Sequence, residues 1–397
     1  MQKRIIVLTI IFLIAPILGT YSYSETKQLT KEEKIEDFNC MYNTIKNGYP
    51  YLGVIKRCNN LDWLAKKDIY MKRIENTKND EEFTEELSSI LGELGNRHTE
   101  LINNRNRYKL FKKAYSKNNW YEFLDDEKVV NRYKHIQNEI KIPENMLLKK
   151  ELILKDVVKG DIGYIYLPVM ASKNGSIKKD LSIISDYIDT LNKHKALIID
   201  IRGNKGGSDS YWKGIVSKLI ENDIEINGYR IYRNNCKLVK DYTKKRDRKL
   251  SPIKNLPENV VENAPKEILR DFSDFEHVNY VIKSDKNTKF KGNIYLLTDE
   301  DVYSSSETFA MFCKDYKFAT IIGQTTGGDG GGLDPILIKL KNSGLIFRMA
   351  SGMYLNKDGI CNEEYKTTPD FKIKKYERTQ NFKGDKCIKK VLEIEEI

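Results

Sequence analysis

What most restricts this chain is a set of short runs that are apolar at nearly every position and alternate with amphipathic helical text. "IGYIYLPV" precedes "KKDLSIISDYIDTLNKH", and "KALIIDIRGN" precedes "SDSYWKGIVSKLIEN". "NIYLLTD" leads through "YSSSETFAMFCKDY" to "FATIIG". Strands without polar alternation are covered on both faces, and helices between them supply that cover over a mainly parallel sheet. The spacing predicts an α/β core over residues 156–380. Upstream, Thr30 and Glu33 stand at capping-box spacing, and Ile35, Phe38, Met41, Tyr42 and Ile45 follow at helical period. Phe83, Leu87, Ile90, Leu91 and Leu94 repeat the pattern until Gly95 and Asn96 end it. Residues 25–155 therefore read as an N-terminal helical domain with a connector. Within it, 102–150 is polar text that suits either a helix or short extended pieces. "PILIKLKNSGLIFRMASGMYLNKDG" reads as hairpin material around Asn342–Gly344, and 381–397 as a C-terminal tail.

Residues 1–24 have the form of a secretory leader: Lys3 and Arg4, an apolar run from Ile5 to Leu18, then small residues at Ser22 and Ser24. The run is too short to span a bilayer comfortably, and an uncleaved N-terminal anchor is the other reading. Cleavage would remove two cations and no acid, taking the net charge from +11 to +9. The remaining surplus is spread through lysine-rich segments, with no compact basic module. Nucleic acid is thus not the expected partner, and a basic surface attracted electrostatically to an anionic cell envelope is. The six cysteines are scattered, with no Cys-x-x-Cys, so no metal is expected; Cys40 and Cys58 are the most local option for pairing.

Three places could carry chemistry. "IIDIRGNKGGSDS" ends a buried strand in a glycine turn that opens a helix, where backbone N–H groups can hold an anion or a developing oxyanion. An ordinary strand-to-helix turn reads the same way. "LLTDEDVYSSSETF" places three serines at the start of a helix; a helix cap needs one hydroxyl, and a nucleophile is the alternative. His98, in "LGNRHTEL", sits just past a helix end. His135 and His194 lie in lysine-rich text and read as solvated, and His277 is ambiguous.

Together these places resemble the S41 family of serine peptidases, the C-terminal processing and tricorn-like group. The residues that carry the resemblance are "LGNRHTEL", "DIRGNKGG", "SSSE", "GQTTGG" and "EEYKTTPD", in the family's order from about residue 30 to about 375. The resemblance implies a ClpP/crotonase-like α/β core, a peptide or protein substrate and no metal or organic cofactor. The nucleophile would be Ser304. Ser305 and Gly206 or Gly207, with Gly207 favoured, would supply the oxyanion hole. One branch of the family uses a lysine base at the place of Asp329, and an aspartate cannot replace a neutral lysine. The other branch uses a histidine, here His98, with a supporting glutamate, here Glu363 or its rival Glu364. An imidazole is suited to take the serine proton near neutral pH.

This sequence departs from the family at Asn96, where an aspartate is usual, at Arg97, where a small residue is usual, and at Gln324, where a glutamate is usual. The first would weaken the His98 loop, and Arg97 would set a cation beside the base if it points inward. These departures motivate a second reading, an inactive peptide- or ligand-binding protein on the same fold. An esterase-type acyl hydrolase is a third. Residues 102–155 are too few for the tail-binding PDZ domain of many relatives.

Overall fold

A computed structural model describes residues 28–115, 120–136, 151–172, 175–374, 379 and 382–397. The leader expected over 1–24 lies outside these residues, as does 137–150 of the polar connector. The apolar runs form one six-stranded sheet. Its spatial order is Phe371–Lys372, Thr320–Gly323, Asn293–Thr298, Ala196–Asp200, Ile162–Tyr166 and Ile153–Val158. All neighbours are parallel except the last pair. Successive side chains of a strand point to opposite faces. Leu197 and Ile199 meet Trp212, Ile215, Phe309 and Phe312 of the helices Asp209–Leu219 and Ser305–Asp315. Ala196 and Ile198 face the other way, in a cluster with Cys387, Ile388 and Val391 of the helix Lys386–Ile394. The segment expected as a tail is thus the cover of one sheet face, which is why the strands carry no polar side.

The capping box forms as expected: Thr30 and Glu33 cap the helix Lys31–Gly48. That helix, Leu52–Cys58, Lys67–Glu75 and Asp80–Gly92 share one continuous core with antiparallel strands from the second half of the chain. Phe38, Leu87 and Ile90 lie in the same cluster as Ile231, Tyr232, Phe347 and Met353. The N-terminal helices therefore have no core of their own. Asp37, buried on the first helix, accepts the N–H groups of Asn342 (2.9 Å) and Ser343 (2.7 Å) and so holds the turn of the hairpin Ile336–Lys339 and Ile346–Met349. In the connector, Arg105–Tyr115 and Glu127–His135 are helical. Cys40 and Cys58 form no disulfide, and the other four cysteines are free as well. No helix among the described residues is long and apolar enough to cross a membrane.

One buried ion cluster ties the last helix to the sheet edge. The Arg202 guanidinium, 2% exposed, donates to both oxygens of Asp200 (2.9 and 2.6 Å) and both oxygens of Asp385 (3.1 and 2.7 Å). Asp385 also caps its own helix through Cys387 N (2.9 Å). Without Asp385, Arg202 stays paired with Asp200, and what is lost is two charge-assisted hydrogen bonds and a helix cap, together about 3–5 kcal/mol. Asp385→Ala is expected to lower the free energy of unfolding by about that amount in urea titration; a loss below about 1 kcal/mol would contradict this account of the cluster.

Candidate active site

Asp200 and Leu297 are register partners on adjacent parallel strands. The glycine turn after the first and the serine turn after the second therefore leave the same sheet edge side by side, where open α/β sheets bind ligands. Tyr303 N donates to Asn204 O (3.3 Å), joining the two turns. At Gly206, with φ of +97°, an added Cβ would lie 2.7 Å from Tyr303 O and 2.8 Å from Ser304 Cβ, so only glycine allows this approach. The Gly206 N–H is taken by Asn204 Oδ1 (3.0 Å). The N–H groups of Gly207 and Ser305 have no partner among the described residues.

None of the three serines caps the helix through its side chain. Ser304 is the N-cap by position, yet makes no side-chain cap bond. Its backbone is strained, at φ 58° and ψ −123°. A non-glycine residue in such a region costs on the order of 1–3 kcal/mol and persists only where its surroundings enforce it. Here Ser304 N donates to Gly328 O (3.3 Å), and Ser304 O accepts from Thr308 N (2.8 Å). Ser305 Oγ and Ser306 Oγ are buried without partners among the described residues.

His98 enters from the opposite side. The chain leaves the helix Asp80–Gly92, turns at Gly95 with φ of +68°, and pairs Glu100–Leu101 with Phe347 and Arg348. This carries the His98 ring edge-on to Tyr303, 5.4 Å between ring centres, beside the residue that precedes Ser304. His98 Nδ1 meets Asp329 Oδ2, with the two side chains 17% and 10% exposed. Asp329 sits in the glycine-rich loop at φ 61°.

The acid expected behind the histidine lies one step further back. Glu363 Oε2 accepts from Asp329 N (2.9 Å), and Oε1 accepts from Asn96 Nδ2 (3.1 Å). Burial, and then the charge of Asp329, push the Glu363 carboxyl up to about 7, against the opposing pull of Lys366 and the Asn96 hydrogen bond. Glu364 points elsewhere, pairing with Arg57 (2.7 Å). Glu307 is fully buried and accepts from Asn362 Nδ2 (2.7 Å) and Thr367 Oγ1 (2.6 Å).

The departures at 96 and 97 have local explanations. Asn96 Oδ1 accepts from His98 N (3.0 Å) and Thr99 Oγ1 (3.1 Å), which turns its Nδ2 toward Glu363 and Asp329. It thus braces the histidine loop. The Arg97 guanidinium lies over the Tyr303 ring (5.2 Å) and pairs with Asp301 (3.4 Å), 46% exposed and turned to solvent. Gln324 makes main-chain bonds to Thr298 (3.0 and 2.8 Å). Sequence reasoning missed Asp329 and Tyr303 as neighbours of His98 and expected Asn96 to weaken the loop that it braces; the one visible signal for Asp329 was an acid inside "GGDGGG". His194, read as solvated, is mostly buried against Asp156 (3.2 Å), while His277 is exposed on a strand and stacked on Tyr229. Among the described residues no group of three or more His, Cys, Asp or Glu is arranged to hold a metal ion.

Solved structures with this fold include a candidate peptidase from Parabacteroides merdae ATCC 43184. It is 18% identical, with 91% of this chain and 96% of that one covered and a TM-score of 0.57. Mature CPAF complexed with lactacystin is 12% identical, with 86% and 94% covered and a TM-score of 0.53. No curated protein matches the sequence. The sequence profile of peptidase family S41 matches residues 161–373, more than half of the chain, from the strand Ile162–Tyr166 through both turns to the Glu363 segment. On that match, this chain belongs to peptidase family S41.

Proposed function

We propose that the chain is a serine endopeptidase that cleaves peptides or proteins through an acyl-enzyme on Ser304, with His98 as the base. The observation that carries this reading is Ser304 itself. It is a strained serine at a strand-to-helix turn, with no capping role, and it follows directly on Tyr303, whose ring meets a histidine paired with Asp329. Strained residues cluster at functional sites, and this one has the chemistry of a nucleophile.

In the proposed reaction the Ser304 hydroxyl proton passes to His98 Nε2 as Oγ bonds to the substrate carbonyl carbon. The carbonyl oxygen gains the electron pair and takes hydrogen bonds from the N–H groups of Gly207 and Ser305, at the start of a helix whose dipole favours negative charge. His98 then gives the proton to the leaving amine, and the C–N bond breaks. Water then gives a proton to the same imidazole and adds to the acyl carbon, the C–Oγ bond breaks, and His98 returns the proton to Ser304 as the acid product leaves. Gly206 permits the close packing of the two turns, and its own N–H stays with Asn204. The apolar, basic-headed text of residues 1–24 supports a secreted or envelope location.

Two measurements test this reading. Fluorophosphonate labelling of residues 25–397 is expected to modify Ser304, to vanish in Ser304→Ala, and to slow by about 100-fold or more in His98→Ala. A folded wild type that takes no label would contradict the peptidase and leave a ligand-binding protein on the same fold. The second is a carbon-13 carboxyl titration, in which Glu363 should show a midpoint near 7. The native chain would then keep a proton that the unfolded chain loses near pH 4.5, so Glu363 removes stability as pH rises from about 4.5 to about 7. A Glu363 midpoint below about 5, in the ordinary carboxyl range, would contradict its burial against Asp329.

A further inference from the structure

We propose that Asp329 is the positioning residue that orients His98, and that Glu363 acts one step behind it by fixing the Asp329 backbone and the Asn96 amide. This rests on the reading of His98 as the base and assigns the division of labour behind it.

The contacts divide the two acids clearly. Asp329 Oδ2 meets His98 Nδ1 directly. Both oxygens of Glu363 point elsewhere, one to Asp329 N and one to Asn96 Nδ2. Among the described residues Glu363 makes no hydrogen bond to the imidazole. Asp329 can deliver its carboxylate because its backbone is fixed in a left-handed conformation, which aspartate tolerates better than most residues. Asn96 Nδ2 holds its second oxygen at 3.3 Å.

Asn96 fits the same scheme. Its Oδ1 is committed to His98 N and Thr99 Oγ1, so only its Nδ2 can face the two carboxyls. An aspartate at 96 would bring a third carboxyl to this buried point, with no proton to offer either neighbour when ionised. An amide at 96 and an acid at 329 therefore suit each other. The other charged or titratable groups facing the pair include Lys366 and the Cys361 thiol, on the Glu363 side, and the phenols of Tyr49, Tyr51 and Tyr303.

The chemical consequence follows from the tautomer. A carboxylate on Nδ1 keeps the proton there and leaves Nε2 free to accept the Ser304 proton. When that proton arrives, the imidazolium forms against an existing negative charge, and the Nδ1 proton stays on the histidine.

Two readouts test this, one of which needs no activity. The first is the rate of Ser304 labelling by a fluorophosphonate, corrected for folded fraction by circular dichroism. Asp329→Asn should slow it by about 10²–10⁴-fold, in the range seen when a triad acid becomes an amide. Glu363→Gln should slow it by about 10-fold, at the low end of what outer-shell changes cost, since it leaves the direct contact in place. The second is the low-field Nδ1 proton of His98, followed by NMR in a Ser304→Ala background. It should persist in Glu363→Gln and disappear in Asp329→Asn. If Glu363→Gln costs as much as Asp329→Asn in labelling and removes the proton signal, Glu363 is the orienting acid and the proposal is wrong. Loss of the signal in neither variant also overturns it. A wild type that takes no label would refute the peptidase reading, while the proton signal would still decide which acid holds His98.

Discussion

The site depends on the pinning of one loop. The segment from Thr326 to Gly331 has almost no side chains to pack, yet each of its N–H groups has a partner. In order these are Thr367 O, Val302 O, Glu307 Oε2, Glu363 Oε2, Asn362 Oδ1 and Thr308 Oγ1, at 2.8–3.4 Å. Glycines supply the conformational freedom to reach these partners, and the partners remove it again. Three of the six come from side chains that are themselves buried: Glu307, Glu363 and Asn362. Unpaired buried N–H groups cost on the order of 1–3 kcal/mol each, so the loop has one favoured path. That path fixes Gly328 O against Ser304 N and aims Asp329 at His98.

The wider fold serves the same junction. The parallel sheet brings the glycine and serine turns to one edge. The N-terminal helices share a core with the antiparallel strands and hold the hairpin turn through Asp37, and that hairpin pairs with Glu100–Leu101 just after His98. Glu100 accepts from Arg348 Nε (2.7 Å) and Arg107 Nη1 (2.7 Å), tying the histidine loop to the connector helix as well. His98 and Ser304, far apart in sequence, are thus set by two separate lattices that meet at Tyr303. The Tyr303 hydroxyl accepts Arg97 N (3.0 Å), and its ring carries both His98 and the Arg97 guanidinium.

Much of this was legible in the sequence wherever a local period or a cap decides the outcome. The parallel strands, the capping box at Thr30, the buried face Phe83–Leu87–Ile90–Leu91 and the hairpin near Asn342 follow from spacing alone. Family order in the text singled out the serine and the histidine. What stayed hidden rests on contacts between distant residues. Asp329 reads as a misplaced lysine until the fold sets it beside His98, and Asn96 reads as a lost acid until two carboxyls appear around it. The shared core was invisible for the same reason, since an amphipathic helix shows that it has a buried face and not what covers that face. The 381–397 segment was misread because its apolar residues cover a sheet face formed mostly by residues 162–200 and 293–322.

If this junction makes Ser304 the nucleophile, Ser304 carries the acyl group during turnover. This is tested most directly by quenching turnover of an activated peptide ester with acid and weighing the intact chain. The account predicts a mass increase equal to the acyl group, mapped to Ser304 and lost when the mixture is left to complete hydrolysis. Turnover with no adduct during the reaction, or with the acyl group on another residue, would contradict it.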